Sequence, residues 1–334
     1  MDETKHPAQS DAAGRSHLSV GLNAVIVAVT GDDPKVLAIR GEAGQEALPS
    51  GPLGPDHRTL EAGLRTWVER QTHQMLGHVE QLYTFGDRDR SEADSGPESG
   101  GAVRSLSVAY LALVREARPA GDADAAWQSW YRYFPWEDWR DGRPKVLDTL
   151  EPGLRAWAAA APGGPSGAAR SERLSLAFGL NQRNGAMPDE ERVLERYELL
   201  YEAGLVAEAL RERGTARPAQ AGSGVALAVD HRRMLALAIA RLRGKIKYRP
   251  VVFELMPPSF TLLQLQRTVE ALSGVRLHKQ NFRRLMEQQR LVEETGEATS
   301  GTGGRPARLV RFRREVLLER PAPGVRLPGS AARR

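Results

Sequence analysis

The chain has 334 residues, of which 47 are Lys or Arg, 42 are Asp or Glu, and none is Cys. Its length predicts two domains, and 41% hydrophobic with 27% charged residues is typical of a globular protein, not of a collagenous, coiled-coil or disordered one. The lack of cysteine excludes a disulfide framework and any Cys-ligated zinc or iron–sulfur site, and no apolar run reaches the roughly 18 residues of a membrane span, so we expect a cytoplasmic protein with no membrane partner.

The chain begins with a polar stretch, residues 1–16, that predicts a disordered tail. Two runs rich in β-branched residues follow, LSVGLNAVIVAVT at residues 18–30 and KVLAIR at residues 35–40. They flank Gly31-Asp32-Asp33-Pro34, so this part of the sequence predicts a β-hairpin.

A helix is predicted over residues 59–75, where apolar residues recur with helical spacing. Its inner face would carry Leu60, Leu64, Trp67, Val68, Gln71 and Met75. A loop rich in Gly, Ser and acidic residues at 91–101 and a buried strand at 106–114 follow. Residues 17–160 are therefore interpreted as one mixed α/β domain.

Five of the six tryptophans lie between residues 127 and 157, and we expect them to pack a helix and a loop against the sheet. An aromatic cage that stacks bases is the alternative. Residues 161–171 and 211–223 are rich in Gly, Pro and Ala and predict linkers, whereas residues 191–210 predict one amphipathic helix. Residues 161–228 are interpreted as a helical insertion or linker.

Charge is distributed unevenly along the chain. Residues 241–334 contain 20 Lys or Arg and 8 Asp or Glu, a net charge of +12, whereas residues 1–240 have a net charge of −7. A basic module favours a polyanion as partner, although a solvated basic surface has the same composition. We expect a linker helix and a DNA-binding domain within residues 229–320 and a flexible tail at 321–334.

Residues 260–312 begin with a strongly marked helix. Thr261 and Gln264 are spaced as a capping box, and Phe260 and Leu265 are placed to form the hydrophobic staple around it. The helix should end at Gly274, because glycine favours the left-handed conformation that commonly closes a helix.

A second helix and a hairpin follow. Residues 278–291 predict a helix with Phe282, Leu285 and Met286 on its core side, and strands at 291–295 and 308–313 flank a Gly-rich turn. Two helices joined by a tight turn and followed by a hairpin are typical of a winged helix-turn-helix. A winged helix that makes only protein contacts is the main alternative.

The second helix would be the recognition helix. Asn can pair with adenine and Arg with guanine in the major groove, lysines ahead of the helices could hold phosphates, and the wing tip could reach a minor groove. The candidate DNA-binding residues are Lys245, Lys247, Lys279, Asn281, Arg283, Arg284 and Arg305.

The segment LPSGPLGPDHRTLEAGLRTWVERQT resembles a degenerate Nudix box, G-x5-E-x7-R-E-U-x-E-E-x-G-U with U a bulky apolar residue. Aligned on Gly51, it matches that pattern at Gly51, Arg65, Trp67 and Glu69. It departs from the pattern at His57, Thr66, Arg70, Thr72 and His73.

These departures bear on metal chemistry, since Nudix enzymes hold Mg²⁺ with the box glutamates and Mg²⁺ prefers carboxylate oxygens. Of the three glutamates in R-E-U-x-E-E only Glu69 remains. Arg70 adds a repulsion of about 4 kcal/mol per unit charge, at ~4 Å and an effective dielectric constant near 20. The sequence therefore predicts no metal site and no catalytic residues, although Arg70 could take the metal's place against a pyrophosphate. An i, i+4 ladder of Glu61, Arg65 and Glu69 is the purely structural alternative.

A degenerate Nudix domain followed by a winged helix is the layout of the NrtR family, the Nudix-related transcriptional regulators of NAD metabolism. Five segments are similar to that family: residues 79–90, 106–114, 229–266, 278–296 and 303–314. The resemblance implies an α/β (α+β) fold, in which a Nudix-like mixed sheet with helices precedes a winged helix-turn-helix. It also implies a homodimeric repressor that binds a double-stranded DNA operator.

The resemblance further implies an effector, ADP-ribose or a related NAD-derived nucleotide, and no required cofactor. The segment Phe85-Gly86-Asp87-Arg88 would lie near the effector cleft, although a turn with an internal Asp/Arg pair is an equal alternative. The candidate effector-binding residues are Arg40, Arg65, Glu69, Arg70, Phe85, Asp87 and Arg88. Two other functions stay open: an active Nudix hydrolase that uses Glu61 with Glu69, and a non-enzymatic scaffold.

Overall fold

The computed structural model describes residues 18–41, 44–86, 104–115, 125–161, 165–180, 188–299 and 306–325. The expected tail at residues 1–16, the expected loop at 91–101 and most of the expected tail at 321–334 lie outside these ranges. Among the candidate site residues, Asp87, Arg88 and Arg305 lie outside them as well.

A mixed sheet forms the N-terminal part of the chain. Its strands are β1 (Leu18–Thr30), β2 (Asp33–Arg40), β3 (Glu46–Ala47), β4 (Ser50–Pro52), β5 (His78–Phe85), β6 (Arg104–Leu113) and β7 (Ala125–Ser129). The order is β3-β2-β1-β6-β5, with β4 paired to β1 and β7 paired to β2. Strands β1 and β6 run parallel, and β1 and β2 form the predicted hairpin.

Strand β1 is buried on both faces, which explains why its sequence is an almost continuous apolar run. Leu22 and Ile26 belong to a core beneath helix α1 (Leu60–Thr72), together with Leu64. Val25 and Val27 point to the opposite face and belong to the larger core, which continues through the helices to the C-terminal domain. The sheet is therefore the layer between the box helix and the rest of the protein.

Helix α1 begins and ends at well-defined caps. The Thr59 hydroxyl accepts the Ala62 N–H, and the chain turns at His73, whose φ is 53°. Because the helix stops there, the expected helical stretch to Met75 is wrong by three residues at its C-terminal end. Met75 is 87% exposed and does not lie on the buried face.

An aromatic segment follows the sheet and contains two 3₁₀ turns, Trp130–Arg132 and Pro135–Glu137. The side chains of Trp130, Tyr133, Phe134 and Trp136 are almost completely buried in the larger core. The prediction that the tryptophans of this region fill the core is confirmed for Trp130 and Trp136, and no stacking surface for bases is formed by these two rings.

The region interpreted as an insertion is helical. Helix α2 (Val146–Ala159) lies just before this region, which contains α3 (Pro165–Phe178), α4 (Val193–Glu202) and α5 (Ala207–Glu212). The single helix expected at 191–210 is wrong, because Gly204 adopts a φ of 66° and separates α4 from α5. The linker expected at 161–171 is helical from Pro165 onward, since proline suits the first position of a helix.

The C-terminal part is the predicted winged helix-turn-helix, preceded by a long helix. Its elements are α6 (His231–Tyr248), a 3₁₀ turn (Val251–Leu255), α7 (Leu262–Ser273), α8 (Lys279–Gln289), β8 (Val292–Thr299), β9 (Ala307–Phe312) and α9 (Val316–Glu319). Both bonds of the capping box between Thr261 and Gln264 are present, and Gly274 closes α7 with a φ of 76°. Among the described helices, none is both long enough and apolar enough to cross a membrane.

The wing is fixed to the helices by backbone and aromatic contacts. Phe260, just before α7, exchanges two backbone hydrogen bonds of 2.8 and 2.9 Å with Val310 of β9. The rings of Phe253 and Phe312 stack with their centroids 4.3 Å apart. Strand β8 is longer than expected, because it continues past a register shift between Glu294 and Ala298 to Thr299.

Candidate effector site and nucleic-acid interface

Three candidate effector residues lie on α1, and Arg65 has a full set of partners there. It donates two hydrogen bonds to Glu61, at 2.9 and 3.0 Å, which forms the predicted i, i+4 pair. It also donates to the carbonyl oxygens of Leu76 (2.5 Å) and Gly77 (3.2 Å). Arg65 therefore holds the chain that leaves α1 toward β5.

Trp67 explains the glycine at the start of the box. Its indole lies flat on Gly51, where an added Cβ would be 2.2 Å from the ring, and its Nε1 donates to the Pro52 carbonyl at 2.8 Å. Arg70 lies over the same indole, with its guanidinium carbon 4.9 Å from the ring centroid. Trp67 therefore contacts both Gly51 of β4 and the exposed Arg70 of α1.

The positions that carry glutamates in a Nudix box have different partners in this chain. His57 accepts the Gly54 N–H at Nδ1 (3.0 Å), and the Thr66 hydroxyl donates to the Ala62 carbonyl (3.0 Å). Glu69 is exposed. Over the described ranges no three His, Asp or Glu side chains gather in an arrangement that could hold a metal ion. The box residues therefore do not fit the Mg²⁺ that the fold implies.

Phe85 and Arg40 lie at separate parts of the sheet. Phe85 is buried at the end of edge strand β5, where Tyr83 packs edge to face at 5.3 Å and the Arg233 guanidinium lies 5.6 Å from its ring. Arg40 ends β2 and is exposed. Three strand spacings, roughly 14 Å, separate β2 from β5. The structure thus brings Arg65, Glu69 and Arg70 together on one helix but does not bring Arg40 and Phe85 to each other.

Helix α8, the predicted recognition helix, separates buried from exposed residues as its spacing predicts. Phe282 and Met286 are buried in the winged helix core. The exposed side carries Lys279, Asn281, Arg283 and Arg284. Arg284 donates to Asn281 Oδ1 at 3.2 Å, and within the described ranges no carboxylate forms an ion pair with the three cations. This face of α8 is consequently positively charged and accessible to a binding partner.

The wing differs from α8, because its described cations are paired across the two strands. Arg308 contacts Glu294 and Arg311 contacts Glu293, both at 2.7 Å and both exposed. Arg305 would extend the wing beyond these pairs, but it lies outside the described residues.

Lys245 and Lys247 lie near the end of α6, away from α8 in the sequence and paired with acidic residues. Lys245 contacts Glu80 of strand β5, and Lys247 contacts Glu190 (2.7 Å) and Glu191 (2.6 Å). Burial lowers the pKa of Lys247, but hydrogen bonds to the two glutamates raise it above its ordinary value. These lysines connect α6 to the sheet edge and to the segment that precedes α4.

Several charged side chains that the sequence did not single out are buried. Arg232 and Arg243 lie on the apolar side of α6, Arg196 on that of α4, and Glu137 and Glu208 are their partners. A signal existed, because Arg232 and Arg243 have the same helical spacing as the buried Leu235, Ile239 and Leu242.

Known proteins support the assignment of the C-terminal domain. Residues 252–312 match the model of the NrtR DNA-binding winged helix domain. The C-terminal domain is a winged helix of the NrtR type. Over 86 residues the chain is 45% identical to the ADPR responsive transcriptional repressor NtrR of Acinetobacter baylyi. That match covers 26% of this chain and only 34%, about a third, of the repressor's length.

The overall fold is that of NrtR. The crystal structure of Shewanella oneidensis NrtR complexed with a 27mer DNA has a TM-score of 0.52 and 19% identity, over 89% of this chain and 94% of that one. A second crystal structure of Shewanella oneidensis NrtR gives the same TM-score, over 89% of this chain and 95% of that one. At this identity the likeness shows the fold alone. The predicted fold class, a Nudix-like sheet followed by a winged helix, and the predicted likeness to NrtR are confirmed.

Proposed function

We propose that this protein is a transcriptional repressor that binds operator DNA through its winged helix and senses ADP-ribose or a related NAD-derived nucleotide. The observation that carries the proposal is the exposed positive face of α8 in an NrtR-type winged helix. The 45% identity of an 86-residue stretch to a repressor described as ADPR responsive supports both halves of it. Because such a protein works on DNA, we place it in the cytoplasm.

Binding would divide between phosphate contacts and base contacts. Lys279 lies at the N-terminus of α8, where a cation and free backbone N–H groups suit a phosphate. Asn281, Arg283 and Arg284 would read bases in the major groove. Lys245 and Lys247 would have to leave Glu80, Glu190 and Glu191 to reach DNA. We therefore assign the contacts to α8, with Arg305 as the wing contribution.

The effector would be held by charge supplied by the protein itself. A pyrophosphate binds well to guanidinium groups, and Arg70 stands at a box position where a Nudix enzyme has a glutamate. The Arg70 guanidinium lies 4.9 Å from the centroid of the Trp67 ring, and this cation–π contact favours a position beside the indole. Of the other predicted effector residues, Glu69 and Arg65 share α1 with Arg70, and Asp87 and Arg88 lie outside the described residues. Arg40 lies at the end of β2, and the buried Phe85 belongs to the core on the sheet face opposite α1, so we do not assign these two to the same site.

The same residues argue for binding without hydrolysis. Hydrolysis of a pyrophosphate bond by a Nudix box needs carboxylates around Mg²⁺. In this box His57, Thr66 and Arg70 stand at glutamate positions. Glu61, the residue that a non-standard site would use with Glu69, is engaged by Arg65 at 2.9 Å. We assign no catalytic residue and no cofactor.

The first experiment measures binding of the purified protein to DNA from upstream of its own coding region by fluorescence anisotropy. A salt series with and without ADP-ribose, and random DNA of the same length as control, separates the possible results. The whole proposal is supported if the protein prefers its own upstream DNA, if its affinity falls steeply as the salt concentration rises, and if ADP-ribose weakens the binding. Selective binding that ADP-ribose leaves unchanged removes the effector, and equal binding to both DNAs removes the operator.

A second experiment tests the metal-free effector site. Isothermal titration with ADP-ribose should give the same affinity in EDTA and in Mg²⁺, and Arg70→Gln should weaken it in both. An affinity that requires Mg²⁺, or release of AMP at an enzymatic rate, would favour the hydrolase instead.

We also propose that the protein is a homodimer, because a two-fold arrangement of winged helices matches a pseudo-palindromic operator. Light scattering of the protein with and without operator DNA measures this directly. A monomer in both conditions would remove the symmetric operator from the proposal.

A further inference from the structure

The C-terminal end of α7 is held by residues from outside the winged helix. The last carbonyl groups of a helix have no partners within it and must find them elsewhere. Three donors meet them here: Tyr131 Oη to Ala271 O (2.7 Å), Arg243 Nε to Leu272 O (2.9 Å) and the Trp139 N–H to Gly274 O (2.8 Å). We call Tyr131, Glu137, Trp139 and Arg243 the α7 socket.

Glu137 organises this socket. Its side chain is 2% exposed and accepts from Arg196 Nε at 2.5 Å, from Arg196 Nη2 at 2.8 Å and from Arg243 Nη1 at 2.6 Å. Its backbone carbonyl also accepts from Arg243 Nη2 at 3.3 Å. Because every one of these groups is buried, Arg243 has one well-defined position when it donates to α7.

The inserted helices fix Glu137 from the other side. Arg196 belongs to α4, and its Nη1 donates to the carbonyls of Ala177 in α3 (3.0 Å) and Asp189 (2.8 Å). The guanidinium therefore joins two inserted segments to the one carboxylate that orients Arg243. The insertion thus contributes directly to how α7 is seated.

The close backbone contact of Gly274 with the α7 socket leaves little room for movement between α7 and the socket. Gly274 has a φ of 76°, and a Cβ added to it would be 2.4 Å from the Glu137 carbonyl oxygen. Even a methyl group at this position would separate α7 from the socket. The first helix of the helix-turn-helix is consequently in direct backbone contact with the segment that follows the Nudix-like sheet.

We propose that the α7 socket makes each winged helix move as one rigid body with its own Nudix-like domain, with Glu137 as the positioning residue. An effector would then change operator binding by rotating whole protomers against each other, not by bending the chain between α6 and α7. This regulatory consequence rests on the proposed function, whereas the rigid placement within a protomer does not.

The test measures a distance within one protomer. The chain has no cysteine, so Ala62→Cys in α1 and Glu287→Cys in α8, both at exposed positions, accept spin labels without background. Doubly labelled protein is mixed with an excess of unlabelled protein, so that only distances within a protomer are recorded by electron–electron double resonance. We expect one narrow distance peak whose position ADP-ribose does not change.

Gly274→Ala should replace the narrow peak by a broad distribution, because the added methyl group cannot fit against Glu137. Gly214→Ala is the matched control: Gly214 also follows a helix with positive φ, 58°, but nothing lies within 4 Å of its added Cβ. It should keep the narrow peak. Tyr131→Phe removes one socket bond with almost no change of shape and should broaden the peak less than Gly274→Ala, which keeps the test informative if that variant does not fold.

Two results would overturn the proposal. A broad distribution in the unaltered protein, or a peak that moves with ADP-ribose, would show that the winged helix turns against its own Nudix-like domain. A folded Gly274→Ala or Tyr131→Phe protein with the unaltered peak would show that the socket does not position α7. Failure to bind DNA or ADP-ribose would remove the proposed function but leave the distance measurement in the free protein unaffected.

Discussion

Replacing Glu137 by Gln should destabilise the protein by about 3–5 kcal/mol, the cost of breaking a buried ion pair by removing one partner. Gln has nearly the shape of Glu but no charge. It would leave two guanidinium groups without a counter-charge, and the side chains of Arg196 and Arg243 are only 3% and 1% exposed. Neither arginine can regain hydration without opening the core around the aromatic segment.

The effect should depend on pH in a definite direction. Burial raises the pKa of Glu137, but the charges of Arg196 and Arg243 outweigh it and hold the pKa below its ordinary value. A carboxyl group with a lowered pKa stabilises the fold above its unfolded pKa of about 4.3 and loses that contribution as the pH falls through the folded value. The difference between the unaltered protein and Glu137→Gln should therefore be full at pH 7 and shrink on acidification below about pH 4.3.

Urea unfolding followed by circular dichroism measures both effects. Glu294→Gln is the matched control, because Glu294 pairs with Arg308 at 2.7 Å while the two side chains are 60% and 76% exposed. Its loss should be at most about 1 kcal/mol, as for other surface pairs. Equal losses for the two variants at pH 7, or a Glu137→Gln loss that grows in acid, would refute the assignment of Glu137 as a charged group that holds the core.

Three further predictions concern the two functional regions. Arg283→Ala should weaken operator binding by about 1–3 kcal/mol in the anisotropy assay, because it removes a charged donor to a base edge. Thr261→Ala should lower the stability in urea by about 1 kcal/mol, since the capping box with Gln264 satisfies two backbone donors of α7. Gly51→Ala should cost about 1–3 kcal/mol in the same assay, because the new methyl group overlaps the Trp67 ring.

Each of these variants has a control of the same chemistry. Arg241→Ala removes an exposed arginine of α6 and should leave operator binding unchanged. Thr66→Ala removes a hydroxyl within α1, where no cap is lost, and should change stability by less than about 0.5 kcal/mol. At Gly77 the nearest atom to an added Cβ is 3.6 Å away, so Gly77→Ala should be tolerated. A variant that behaves like its control contradicts the corresponding prediction.

The winged helix could be predicted in detail because its signals are local. The capping box at Thr261, the left-handed Gly274 and the spacing of Phe282 and Met286 are all set by neighbours within a few residues. The hairpin of β1 and β2 is local in the same way. Propensity and periodicity report such features directly, so these elements agree between prediction and structure.

The middle of the chain could not be predicted as well, because its helices depend on tertiary packing. Gly204 ends α4 inside a pattern that reads as one continuous helix, and Pro165 begins α3 inside a stretch that reads as a linker. Met75 has the spacing of a core residue but follows the turn at His73. At Gly204 and His73 a left-handed backbone conformation ends a helix that the periodic pattern would continue, and at Pro165 a helix forms where composition predicts a linker.

By itself, the sequence determined that the chain carries a basic winged helix behind a Nudix-like domain whose box has lost most of its metal-binding glutamates. Composition, charge and short-range spacing predict the winged helix, whereas the Nudix-like domain follows from the resemblance of residues 48–72 to a Nudix box. Only the tertiary structure decided which charges are available and which are internal. Lys279 and Arg283 stay exposed on α8, whereas Arg243, an equally plain arginine in the sequence, is buried against Glu137 and α7. The reason is physical: the partner of a charge can lie a hundred residues away, and no local pattern records it.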